Sequence, residues 1–239
     1  MPKPTPRLVQ PVRVLAFDVF GTIVDWHATI AREVDALQLG VPGVEFASAW
    51  RAGYVPAMRR VAAGESGWTK LDVLHRGILD ELLERFAIRH LDETAKRELN
   101  RVWHRLDAWP DSVAGLTRLK RRFTICTLSN GNLGLLADMA KHAGLPWDCI
   151  LSAEVFRAYK PDPATYLGVA ATFDVEPREV LMVAAHDSDL RAAHSCGLQT
   201  AYIARPQEYG DRHEIPEPQL PESTLRTRDC VDLAEQLGC

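Results

Sequence analysis

One apolar run, Val12-Arg13-Val14-Leu15-Ala16-Phe17, opens the chain and has no companion of its kind until Phe123-Thr124-Ile125-Cys126-Thr127-Leu128. Between the two, apolar residues recur at three- and four-residue spacing, the period of a helix with one buried face. The spacing predicts helices over His27–Leu37, Phe46–Ala62, Leu71–Phe86 and Glu93–Leu106, broken at Gly40-Val41-Pro42-Gly43 and Gly64-Glu65-Ser66-Gly67. From Pro110 onward the pattern alternates, with strands expected at 123–128, 149–151, 180–184 and 200–203. Helices are expected to end near Ala143, to span Pro163–Phe173 and to span Ser188–Ser195. Strand–helix alternation demands parallel pairing through right-handed crossovers. The expected fold class is therefore α/β, a doubly wound parallel sheet with an inserted all-α helical cap. Residues 12–25 and 108–239 are assigned to the core domain and 26–107 to the cap. No internal repeat is present, and the Pro- and Glu-rich stretch Arg205–Thr227 is expected to wrap the surface.

The 239 residues, 46% of them apolar, suffice for a substantial core. A net charge of −4 with no basic block gives no support to nucleic acid or an anionic membrane as partner. Met1-Pro2-Lys3-Pro4-Thr5-Pro6-Arg7 lacks an apolar signal region, and no segment approaches a membrane-spanning run. Cys126, Cys149, Cys196, Cys230 and Cys239 are scattered, without a CxxC or a metal-ligand spacing. They read as small buried thiols of a cytoplasmic protein, and no metal is expected.

In a parallel sheet of this kind, ligands gather at the C-terminal strand tips. The first tip carries Asp18, followed by Gly21 and Thr22. The second carries Ser129 and Asn130 ahead of Gly131 and Asn132, where a helix start offers N–H groups to an anion. After the third strand comes Lys160, kept out of helical geometry by Pro161. The fourth tip carries His186, Asp187 and Asp189. Singly these residues suit turns, caps or a solvated surface. Together they bring a nucleophile, anion donors and a cation to one rim.

Phe17-Asp18-Val19-Phe20-Gly21-Thr22, Leu128-Ser129-Asn130-Gly131 and Tyr159-Lys160-Pro161-Asp162 closely resemble the haloacid dehalogenase superfamily, and its L-2-haloacid dehalogenase branch in particular. Ala49-Trp50-Arg51 resembles the cap segment bearing that branch's substrate-binding arginine, and Tyr166 matches its active-site tyrosine. The resemblance implies a hydrolase of short 2-haloalkanoic acids, inverting at C2. Asp18 would displace halide to form an ester, and water would then attack the ester carbonyl. Arg51 would grip the substrate carboxylate or cradle the halide. Lys160 would keep Asp18 ionised, while Thr22, Ser129 and Asn130 orient nucleophile and substrate. Small haloacid and water are the implied partners, with no cofactor. Caps of this kind often support a homodimer.

Most members of the superfamily are Mg²⁺-dependent phosphatases, which need a second aspartate two residues after the nucleophile as general acid. Here that position is Phe20, an apolar wall suited to a halide, and Ala185 stands where a metal-binding acid would fall. A phosphatase, a degenerate binding protein and a hydrolase of a non-halogenated substrate remain the alternatives at this stage. The dehalogenase pattern is itself altered: Ala184 and His186 replace a serine and an asparagine. Asp189 is the candidate for positioning the hydrolytic water. His186 is open between base, halide donor and structural group, and chloride, bromide and fluoride all remain candidate leaving groups. Trp50, Tyr54, Met58 and Trp68 are expected to fill the cap core.

Overall fold

The computed structural model describes residues 11–65, 67–210 and 217–239. The N-terminal heptapeptide, Ser66 and part of the segment after Arg205 lie outside the described residues. Strand β1 (Val14–Phe17) is buried along its whole length because it occupies the middle of a sheet covered on both faces. Alternate side chains serve opposite layers: Leu15 and Phe17 join one core, Val14 and Ala16 the other.

After β1 the chain makes a two-residue strand β2 (Val24–Asp25) and enters four helices: α1 (Trp26–Ala36), α2 (Gly43–Ala62), α3 (Leu71–Arg85) and α4 (Glu93–Asn100). Asp25 and Asp92 cap α1 and α4 by accepting the backbone N–H of Ala28 and Ala95. The chain returns through β3 (Asp107–Ala108), which pairs antiparallel with β2. Then follow α5 (Ser112–Leu119), β4 (Thr124–Ser129), α6 (Leu133–Ala143), β5 (Cys149–Ser152) and α7 (Ala153–Phe156). The remainder is α8 (Pro163–Thr172), β6 (Val180–Ala184), α9 (Asp187–Ser195), β7 (Gln199–Ile203), β8 (Leu225–Thr227) and α10 (Cys230–Gln236).

The six-stranded sheet has the order β5-β4-β1-β6-β7-β8, and every pairing in it is parallel. Phe17 is level with Thr127 on one side and Val183 on the other, so the tips of β1, β4 and β6 lie at one edge. Strand order turns about β1, which opens a crevice at its tip.

Two expectations are corrected, and two short strands were not expected. The helix predicted over Glu93–Leu106 ends at Asn100 and tightens to a 3-10 turn over Arg101–His104, where Val102 and Trp103 both turn into the core. The two-residue strands β2 and β3 are too short for any periodicity to announce. The stretch from Arg205 to Thr227 does not simply wrap the surface. Arg205 is buried, donating to the Thr22 carbonyl and in a fork to Asp111, Glu208 is 2% exposed, and residues 225–227 form the edge strand. All five cysteines are free. Among the described residues no helix is long and apolar enough to cross a membrane.

Candidate active site

Asp18 extends the β1 ladder by one bond, its N–H donating to the Val183 carbonyl at 2.9 Å, and then leaves the sheet. Its carboxylate is held on both sides. Lys160 Nζ lies 2.8 Å from Oδ1, while Thr22 Oγ1 at 2.8 Å and His186 Nδ1 at 3.2 Å address Oδ2. The Thr22 hydroxyl accepts the Ala185 N–H at 2.9 Å, so its own hydrogen is directed to Asp18.

Lys160 is positioned from its backbone, whose N–H donates to Asn130 Oδ1 at 2.8 Å. Its ammonium bridges Asp18 and Asp189, the latter at 2.5 Å. Tyr166 donates to the other oxygen of Asp189 at 2.6 Å. Burial alone would lift the Asp18 pKa, but the Lys160 ammonium and the His186 ring override it and hold the carboxyl well below the usual range. Burial alone would likewise discharge Lys160, yet the two carboxylates keep it firmly protonated. For Asp189, burial outweighs the lysine and its pKa is raised.

His186 occupies the position just before α9 without a side-chain capping bond, its Nε2 lying 3.0 Å from both oxygens of Glu208. Burial opposes a charge on this ring, but hydrogen bonds to Asp18 and Glu208 prevail and raise its pKa to about 10. At neutral pH it is an imidazolium, donating from both nitrogens.

Asp18, Asn130, Lys160, Tyr166, His186 and Asp189 line a cavity of about 290 Å³, a volume for a small molecule. Across it stands Arg51 of α2, its Cζ 4.3 Å from the Tyr54 ring centroid and 5.8 Å from that of Trp26. The Arg51 Nε is buried without a hydrogen-bond partner, and among the described residues the guanidinium makes no ion pair. An unpaired cation facing a small cavity is a receptor for a small anion. Phe20 closes another wall, its ring edge-on to Trp103 at 5.8 Å between centroids.

Of the residues singled out from the sequence, Asp18, Phe20, Arg51, Asn130, Lys160, Tyr166, His186 and Asp189 face this cavity. Thr22 is fully buried behind Asp18. Ser129 departs from expectation: its hydroxyl, fully buried, accepts the Gly131 N–H at 3.2 Å and braces the turn after β4. Asp187 turns away to Arg191 and the Gln219 N–H. Trp50 and Tyr54 are both buried in the core as expected, the Trp50 Nε1 donating to the His75 carbonyl, and Tyr54 also lines the cavity. Sequence reasoning missed Tyr209, which also lines it, and Glu208, whose place in a polar stretch gave no signal of burial.

The profile of the haloacid dehalogenase-like hydrolases matches residues 12–197, strand β1 and the whole site up to Asp189 included. The chain is a haloacid dehalogenase-like hydrolase. Within that family it is 30% identical to (S)-2-haloacid dehalogenase 1 of Pseudomonas sp. (strain CBS-3), across 91% of this chain and 99% of that one. A solved defluorinating L-2-haloacid dehalogenase superimposes with a TM-score of 0.93 at 43% identity, over the full length of both chains. A solved L-2-haloacid dehalogenase, also 43% identical, gives 0.89 over 96% of this chain and 100% of its own. In this hydrolase no three His, Cys, Asp or Glu side chains among the described residues are grouped to hold a metal ion.

Proposed function

We propose that this hydrolase removes halide from short 2-haloalkanoic acids, haloacetate and L-2-halopropionate among them, yielding the 2-hydroxy acid. The observation that carries the reading is the opposition of Asp18 and Arg51 across one small cavity walled by Phe20. Arg51 binds the substrate carboxylate, which brings C2 against Asp18. The Asp18 carboxylate attacks C2, the C–X electron pair leaves with the halide, and an ester forms. Lys160 keeps the nucleophile ionised, and Thr22 fixes the rotation of its carboxylate. Asn130 holds Lys160 in register, Tyr166 steadies Asp189, and Ser129 shapes the turn that carries Asn130. Residues 26–107 act as the cap that presents Arg51 and Tyr54 to a core made of 12–25 and 108–239.

A phosphatase reading finds no support at Phe20, which is packed edge-on to Trp103 and has no proton for a leaving alcohol. The defluorinating relative makes fluoroacetate a substrate to test beside the chlorinated acids. A cytoplasmic location is supported by the free cysteines. A homodimer is proposed through the helical unit, where Leu37 and Val44 are exposed, and light scattering of the purified chain tests it. The deciding assay is halide release, by ion chromatography, from the 2-chloropropionate enantiomers and fluoroacetate, with a phosphate ester and Mg²⁺ in parallel. Halide from the L-enantiomer supports the proposal; turnover of the phosphate ester alone overturns it.

A further inference from the structure

The haloacid reaction has a second half, ester hydrolysis, for which a base must take a proton from water. Asp189 is poorly free for this, since Lys160 holds one of its oxygens and Tyr166 the other. His186 is placed differently. Its Nδ1 faces the nucleophile carboxylate, and its Nε2 is anchored on Glu208, which is 2% exposed. Glu208 is itself fixed by the indole N–H of Trp26 at 3.1 Å. It also occupies the space that a side chain at Gly21 would fill, so the turn after the nucleophile is open to it.

His186 borders two cavities. A second one, of about 410 Å³, is lined by both His186 and Glu208. His186, Ser188 and Tyr209 are common to the two cavities. His186 thus borders both the cavity of the Asp18 carboxylate and a second one.

Building on the dehalogenase reading, we propose that His186 is the base of ester hydrolysis, that Glu208 is its positioning residue, and that the second cavity is its proton outlet. In the resting enzyme the imidazolium lies between the Asp18 and Glu208 carboxylates, with Lys160 beyond Asp18, Tyr209 beside Glu208 and Arg51 across the cavity. Attack of Asp18 on C2 expels halide and converts one of those carboxylates into a neutral ester. His186 then has only Glu208 to stabilise its charge and releases its proton through the second cavity. A water oxygen next attacks Asp18 Cγ while Nδ1 takes the water's proton. The tetrahedral species collapses, the alkoxide of the 2-hydroxy acid leaves, and it receives that proton from His186. The regenerated carboxyl group returns its proton to His186 and restores the resting state. One halide and one proton are released per turnover, as the overall hydrolysis requires.

The test is rapid-quench kinetics of the full chain with L-2-chloropropionate, comparing wild type with Glu208→Gln and His186→Asn. Halide is followed beside the mass of the Asp18 peptide. Each variant is expected to release about one equivalent of halide in a burst close to the wild-type rate, then to turn over about 100-fold more slowly with the Asp18 ester accumulating. The acid limb of the wild-type kcat profile is expected to move to lower pH in Glu208→Gln and to vanish in His186→Asn. A purely structural role for Glu208 would not move that limb. Equal slowing of halide release and hydrolysis, with no ester, overturns the proposal and leaves the dehalogenase reading intact. Should Glu208→Gln fail to fold, His186→Asn decides alone, because the related dehalogenase pattern carries asparagine there. Wild type that releases no halide from any haloacid overturns the parent reading and the proposal with it.

Discussion

The Arg51 guanidinium carbon sits 4.3 Å from the centroid of the Tyr54 ring, which holds the planar cation toward the cavity while leaving its Nε unpaired. A lysine at this position keeps the charge but neither the fork nor the stacking. Arg51→Lys is therefore expected to lower kcat/KM for L-2-chloropropionate about 10- to 100-fold, the loss of one charged hydrogen-bonding arrangement. Steady-state halide release, with a thermal melt showing an unchanged fold, checks this; wild-type kcat/KM in the variant would remove Arg51 from substrate binding.

Asp18→Asn is expected to abolish turnover, and it should also reshape the alkaline stability profile. The His186 pKa is raised from 6.5 to about 10 in the folded chain, with burial opposing and the hydrogen bonds to Asp18 and Glu208 prevailing. Folding therefore holds a proton that the unfolded chain sheds. The resulting stabilisation is complete below pH 6.5 and is lost as pH climbs through about 10. Removing the Asp18 charge takes away one of the two carboxylates, so the decline should begin at lower pH in the variant. Denaturant midpoints recorded from pH 6 to about 10.5 compare the two proteins.

His75 gives the opposite dependence. It is 1% exposed, stacked on Trp103 at 4.1 Å, and neither ring nitrogen has a hydrogen-bond partner. Burial foremost, with Arg51 and His104 adding, lowers its pKa from 6.5 to about 3. The unfolded chain protonates first, so stability is full above pH 6.5 and falls toward pH 3. His75→Leu should remove up to about 1.4 kcal/mol per pH unit of that acid slope, measured by denaturation between pH 4 and about 7. An identical slope in the variant would show that His75 does not titrate on unfolding.

Gly21 adopts φ +80°, and a side chain there would meet the Glu208 carboxylate. Gly21→Ala combines backbone strain with that collision and is expected to cost about 1–3 kcal/mol, read from denaturant midpoints. A neutral result would mean that Glu208 shifts aside freely.

The sheet and the ionised centre were legible because their signals are local. An apolar run ending in Asp18 marks a strand tip, and Lys160, His186 and Asp189 follow other strands in the same way. Direction within a tip was not legible. Ser129 and Asn130 are neighbours of similar polarity, yet one serves the backbone and the other the cavity, and only their packing decides which. Glu208 was invisible for a stronger reason. Its burial depends on Gly21 and Trp26, at the other end of the chain, and on His186, while its own surroundings read as a solvated segment. Tyr54 shared its helical spacing with the buried Trp50, and periodicity cannot separate a core position from one at the lip of a cavity.

Val24 pairs with Ala108 and Asp25 with Asp107 in a small ribbon separate from the main sheet, so the outgoing and returning chain run side by side where the helical unit begins and ends. To the core, everything between is a closed detour whose length and content leave strand order untouched. Asp18, Lys160 and Asp189 belong to the uninterrupted part, Arg51 and Tyr54 to the detour. On the proposed reading, variation in the detour redraws which anion is admitted while the reacting groups stay in place, and a helical unit from another chain, spliced at the same two rungs, would meet an intact Asp18.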